Sequence, residues 1–187
     1  MFNTILEQHL DCFGRLTSLA ADIERAGAVL ADTIQSGGKI MVCGNGGSAA
    51  DAQHFAAELI GRFEQERDAW PAIALTTDTS ILTALGNDYG FDDVFARQVQ
   101  GLGRPGDALI GISTSGNSEN VLRAVAAAKQ NRMKTIGLAG RSGGGLKPRA
   151  DCSIVIDHPT TARIQEAHLF ILHFWALQIE QRMHHRP

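Results

Sequence analysis

Apolar residues recur every three to four positions at the start of the chain, at Phe2, Leu6, Leu10, Phe13 and Leu16, and predict an amphipathic helix. A second helix is predicted over about 19–34, stopped by Gly37 and Gly38. The period then changes, and short, continuously apolar runs alternate with helical ones. Strands are predicted at 39–43, 72–75, 108–113, 134–139 and 152–156. Helices are predicted at 49–62, 79–85, 91–99, 119–131 and about 162–182. Strands without polar alternation are buried on both faces, and intervening helices supply the crossovers of a parallel sheet. The expected fold is therefore α/β, a five-stranded parallel sheet flanked by helices, with extra N-terminal helices. Ligands of such sheets bind beyond the carboxyl ends of the strands.

Length and charge narrow the function class. A chain of 187 residues, 44% apolar and 20% charged, suits one folded domain over 1–187. The formal net charge of −3 offers no basic excess for nucleic acid. No apolar run approaches a membrane span. Glu7 and Asp11 interrupt the stretch a signal peptide would need, so a cytoplasmic protein is expected. Cys12, Cys43 and Cys152 are widely spaced without a CxxC, and read as small buried residues in a reducing compartment. Glycine is enriched, 20 in all, and clusters in loops.

Two loops carry candidate chemistry. The first predicted strand runs into Gly44-Asn45-Gly46-Gly47-Ser48-Ala49, where glycines allow close backbone approach and the next helix presents free N–H groups. The loop satisfies G-x-G-x-x-A, but a dinucleotide site also wants an acid at the end of the second strand. The first acid there is Asp78, too far along. A ligand loop and a plain tight turn both remain open. The third strand runs into Ser113-Thr114-Ser115-Gly116-Asn117-Ser118 before a helix. Four hydroxyls at a helix N-terminus suit a phosphate monoester better than a simple cap. His54 and Glu58, at i and i+4, share a helix face and suit either two metal ligands or a base with its partner. The last helix is apolar nearly all round, yet contains Gln165, Glu166, His168 and His173. It should be buried, in part against another subunit, with His168 as a satisfied structural residue.

Taken together, CGNGGSAADAQHFAAEL, LTTDTSILTALGNDYGFDDVF, GISTSGNS and ARIQEAHLFILH resemble the phosphoheptose isomerases, of the sugar-isomerase (SIS) fold, across nearly the whole chain. The resemblance implies interconversion of sedoheptulose 7-phosphate and a D-glycero-D-manno-heptose 7-phosphate, opening a heptose branch toward bacterial surface polysaccharide. It implies a cytoplasmic homotetramer, with sites between subunits, one zinc ion per subunit, and residues 1–36 contributing to assembly. By position, Asn45, Gly46, Gly47 and Ser48 would line the sugar. Ser113, Thr114, Ser115 and Ser118 would take the phosphate, and Asn87 and Asp88, in a GND turn, would reach sugar hydroxyls. His54, Glu58, Gln165 and His173 match the metal set. Glu58 and Gln165 also match substrate contacts, and Glu58 with His173 forms the acid/base pair. The alternative is a non-enzymatic SIS branch that binds a replication initiator. It shares HFAA and ARIQE but has no match to His173, whose presence favours an enzyme.

The chemistry agrees with those roles. Ketose–aldose conversion needs a base, an acid and stabilisation of charged oxygens. Histidine, carboxylate and amide ligands suit zinc. Gln165 and His173 are eight residues apart, about 12 Å along one helix with a rotation of roughly 80°. Either that helix begins after Gln165 or the two act in different subunits. The expectation is a composite site, with His173 in one chain and the Glu58 helix possibly in another.

Overall fold

The computed structural model describes residues 1–184. In chain order it contains α1 (Phe2–Leu16), a 3-10 turn (Thr17–Leu19), α2 (Ala20–Gln35), β1 (Ile40–Gly44), α3 (Gly47–Ile60) and β2 (Ala72–Ala74). There follow α4 (Thr79–Asp88), a 3-10 turn (Phe91–Asp93), α5 (Val94–Leu102) and β3 (Ala108–Ser113). The chain ends in α6 (Glu119–Gln130), β4 (Lys134–Gly140), β5 (Cys152–Ile156) and α7 (Thr161–His184).

The strands form one parallel sheet in the order β2-β1-β3-β4-β5. Alternation along β1 shows why it is apolar throughout. Ile40 and Val42 enter one core with α1, α2, α3 and α7, while Met41 and Cys43 enter the other with α5 and α6. The chain leaves β1 toward β2 on one side and returns to β3 on the other. That reversal opens a crevice at the carboxyl ends of β1 and β3, where open parallel sheets place ligands. Both candidate loops leave from this point. On the second face, α6 packs close over Gly111, where a Cβ would come within 2.9 Å of Val121 Cγ1.

Several details differ from the sequence expectation. The segment expected as one helix over 91–99 splits into a 3-10 turn and α5. The last helix starts at Thr161, so Gln165 and His173 do lie in one continuous helix. Cys12 and Cys43 are buried, but Cys152 is half-buried, and all three are free thiols. The carboxylate of Asp78 accepts from Ile81 N–H at 2.9 Å and caps α4, so the acid nearest a dinucleotide position is otherwise engaged.

Two polar contacts pin α7 beneath the sheet. Trp175 Nε1–H donates to Ile23 O at 2.8 Å, and His168 Nε2–H donates to Ala139 O at 3.1 Å. That bond fixes the tautomer and leaves Nδ1 buried without a partner. Burial pushes His168 from 6.5 down to about 4, against the pull of the Ala139 carbonyl. Between those values the unfolded chain binds the extra proton, so stability rises with pH and is lost on acidification from 6.5 toward 4. The expected loss is about 3 kcal/mol. Urea unfolding of wild type and His168→Gln at pH 7 and pH 5 should show a shallower pH dependence in the variant. Parallel shifts would contradict it.

Candidate active site

At the end of β1, Gly46 takes φ +56°, a conformation that disfavours any side chain, and turns the chain into α3. The amide of Asn45 is locked to Asn120 by a reciprocal pair, each Nδ2 donating to the other's Oδ1 at 2.9 Å. Asn120 is buried in the first turn of α6, so this pair ties the first glycine loop to the hydroxyl loop. Nothing local in the sequence marks Asn120, whose contact spans 75 positions.

In the hydroxyl loop, Ser113 Oγ lies 2.9 Å from Ser118 Oγ and 3.4 Å from Ser115 Oγ. Ser118 is the N-cap of α6 but makes no side-chain capping bond. These hydroxyls are therefore gathered together rather than spent on the helix end. Ser115 Oγ also accepts from Asn117 N–H at 3.1 Å. Thr114 sits half-buried between them, its carbonyl against Gly140. A second glycine run, Gly143 to Gly145, backs the loop from β4. Leu146 N–H donates to Gly116 O, and Gly145 N–H donates to Asn117 Oδ1, both at 2.9 Å.

Charge-assisted hydrogen bonds to a dianion are worth about 1.5–3 kcal/mol. Ser115→Ala and Ser118→Ala should each weaken sugar-phosphate binding by roughly ten- to a hundredfold with the fold intact. Unchanged affinity in both, by calorimetry, would remove the phosphate assignment.

The third group lies in the seam between α3 and α7, which run side by side in the same direction. Near their starts the Gln165 amide rests on Gly47, where a Cβ would fall 2.9 Å from Gln165 Cδ. Further along, His54 Nε2 lies 2.8 Å from His173 Nε2 and 3.2 Å from Glu58 Oε1. Burial first, and then the neighbouring His54, hold the His173 imidazole below the usual histidine range, against the opposite pull of Glu58. That shift favours the uncharged ring and makes the protonated ring a readier proton donor. Asp51 shares the α3 stripe of Gly47, His54 and Glu58, and its Oδ2 is buried without a partner. Burial raises its carboxyl to about 6, with His54 pulling the other way.

This geometry corrects the expectation that His173 and the Glu58 helix come from different chains. Glu58, His54 and His173 are assembled within one chain. Gln165 is not with them; it stands at the Gly47 end of the seam. Asn87 and Asp88 do not form a turn but end α4, exposed, with Asn87 Nδ2 donating to Asp88 Oδ1 at 2.7 Å. No contact within the chain brings that pair to the other groups among the described residues.

A model of the SIS domain family matches residues 7–140. The phosphoheptose isomerase of Campylobacter concisus is 52% identical over 173 residues, covering 92% of both chains. The solved phosphoheptose isomerase of Neisseria gonorrhoeae superposes with a TM-score of 0.91 at 45% identity, covering 96% of this chain and 97% of its own. That of Francisella tularensis gives 0.93 at 40% identity, covering 96% of each chain. The chain belongs to the phosphoheptose isomerase family. It is an isomerase, and the five-stranded SIS fold read from its sequence is the fold of these relatives.

The metal set that resemblance to phosphoheptose isomerases implies can be tested against this geometry. Among the described residues, no group of three or more His, Cys, Asp or Glu side chains is already set out to hold a metal. The reason is visible at the His54–His173 pair, whose nitrogens are at hydrogen-bond distance. Two ligands on one tetrahedral zinc stand about 3.3 Å apart. The pair has to open by only about half an ångström, and the donors, two imidazoles and a carboxylate, are of the right kind. His54, Glu58 and His173 therefore fit the ion; Gln165 of the same chain does not reach the cluster.

Proposed function

We propose that the protein interconverts sedoheptulose 7-phosphate and D-glycero-D-manno-heptose 7-phosphate by proton transfer through an enediol. The observation that carries this is the presence of two unlike centres on one chain. One is a cluster of hydroxyls not spent on capping. The other is a carboxylate–imidazole cluster at the far end of α3, at Glu58 and His173. The phosphate on C7 and the carbonyl at C2 lie at opposite ends of an open seven-carbon chain, which suits two such centres.

The serines and the N-terminus of α6 hold the phosphate. The Asn45–Asn120 pair keeps the two loops in register. Glu58 takes the proton from C1, the C–H electrons form the C1–C2 double bond, and the C2 oxygen gains a proton from water. His173, once protonated, supplies a proton to C2 while the C1 hydroxyl gives its own to water, leaving the aldehyde; loss of a proton from Glu58 to water and uptake of one by His173 restore both. Zinc, held by His54, Glu58 and His173, would polarise the substrate carbonyl.

We place the enzyme as a homotetramer in the cytoplasm, feeding heptose toward lipopolysaccharide. No helix among the described residues is long and apolar enough to cross a membrane. Phe2, Leu10 and Phe170 are exposed on the N-terminal helices and α7. An apolar cleft of about 360 Å³ lined by Phe13, Leu16, Ile23 and Phe174 lies between these helices. Such a surface supports assembly through residues 1–36. A neighbour is also the natural source of Gln165, Asn87 and Asp88 for each site. The test is incubation of purified protein with sedoheptulose 7-phosphate, with and without added zinc, followed by NMR. The aldose should appear; its absence under both conditions would refute the assignment.

A further inference from the structure

We propose that Arg67 and Glu180 form a positioning clamp that sets Glu58 and His173 for turnover, a role that rests on the acid/base reading of those two residues. The last carbonyls of a helix have no partner within it. At the end of α3 the buried Arg67 side chain supplies them. Its Nη2 donates to Glu58 O at 2.7 Å, and its Nη1 to Leu59 O at 2.9 Å and Gly61 O at 3.2 Å. The same Nη1 donates to Asp68 O at 2.9 Å, and the guanidinium lies 3.6 Å over the Trp70 ring centroid. Its Nε meets Glu180 Oε1 at 3.2 Å.

Glu180 is fully buried in α7, two turns beyond His173. Its carboxylate accepts from the N–H groups of Phe63 at 3.0 Å and of Glu64 and Gln65 at 3.1 Å. Those bonds stitch the segment after α3 onto α7 and set the Phe63 ring 5.5 Å from the His173 ring. One buried ion pair thus holds the backbone of Glu58 and the ring beside His173. Stability alone is a weak reason for such a pair, since apolar replacements are often as stable. Its placement at the joint between the two catalytic helices is a reason of geometry.

Lysine keeps the charge but cannot reproduce a planar fork spread over four carbonyls and a carboxylate. Arg67→Lys is expected to fold and bind substrate with KM within about threefold, while kcat falls about ten- to a hundredfold, the cost of small misplacements of catalytic groups. Glu180→Gln should act in the same direction, and the double variant should lose less than the product of the two single losses. Normal kcat in folded Arg67→Lys and Glu180→Gln, with Glu58→Gln inactive, overturns the clamp and leaves the acid/base reading standing. A turnover-competent Glu58→Gln fails that reading instead. If both clamp variants fail to fold, or if kcat recovers fully once normalised to folded protein, the pair is structural only and the proposal is overturned.

Discussion

Glu58→Gln is expected to lower kcat by about a hundred- to ten-thousandfold while substrate still binds. The amide keeps the size of the carboxylate but cannot take a proton. Among the described residues Glu58 is the one carboxylate in contact with the paired imidazoles, 3.2 Å from His54 Nε2. Its backbone is held from behind by Arg67, so the substitution should leave α3 in place. Calorimetry gives the binding arm and steady-state kinetics the turnover arm. Near-normal turnover at saturating substrate would take Glu58 out of the chemistry.

Gly116→Ala should be nearly as damaging, through a different route. Gly116 has φ +69°, and a Cβ there would overlap the Gly143 carbonyl oxygen and lie 2.8 Å from Gly144 N. Both neighbours are backbone and cannot swing aside. A side chain in the left-handed region costs about 1–2 kcal/mol before any overlap is relieved. The relief must come from parting the hydroxyl loop from the glycine run behind it, which misplaces Ser113, Ser115 and Ser118 together. We expect kcat/KM to fall by about a hundredfold or more, mostly in KM, as fits the loss of several phosphate contacts at once. Gly101→Ala is the control, since it lies in α5 with open space around it and no positive φ. Equal kinetics for the two variants would show that the hydroxyl loop does not need its backing.

How far the sequence could be read follows from the range of the interactions. The order of elements was legible because the strands are apolar on both faces and the helices keep their period. Boundaries slipped where local packing decides, as when the expected helix over 91–99 broke after Asp93. Ser113, Ser115 and Ser118 stand within six residues, so their gathering was visible in one dimension. His54 and Glu58 were visible as one helical turn. Their junction with His173 spans 119 positions and entered only through resemblance. Asn120, Arg67 and Glu180 were missed for the same reason, as each acts on a partner that only the folded chain brings near. Asp51 could have been found, because it continues the helical stripe of Gly47, His54 and Glu58. The separation of His173 from the Glu58 helix failed because their contact spans 119 positions and leaves no local trace, whereas Gln165 and His173 do meet different parts of α3.

The central claim is that Glu58 and His173 move a proton between adjacent carbons of a phosphorylated ketose. Turnover of sedoheptulose 7-phosphate in deuterium oxide, followed by NMR, tests it directly. Deuterium is expected at C2 of the aldose formed, with both the aldose and its label falling about a hundredfold or more in Glu58→Gln. Conversion with no solvent deuterium at C2, or deuterium incorporation undiminished in Glu58→Gln, would contradict it.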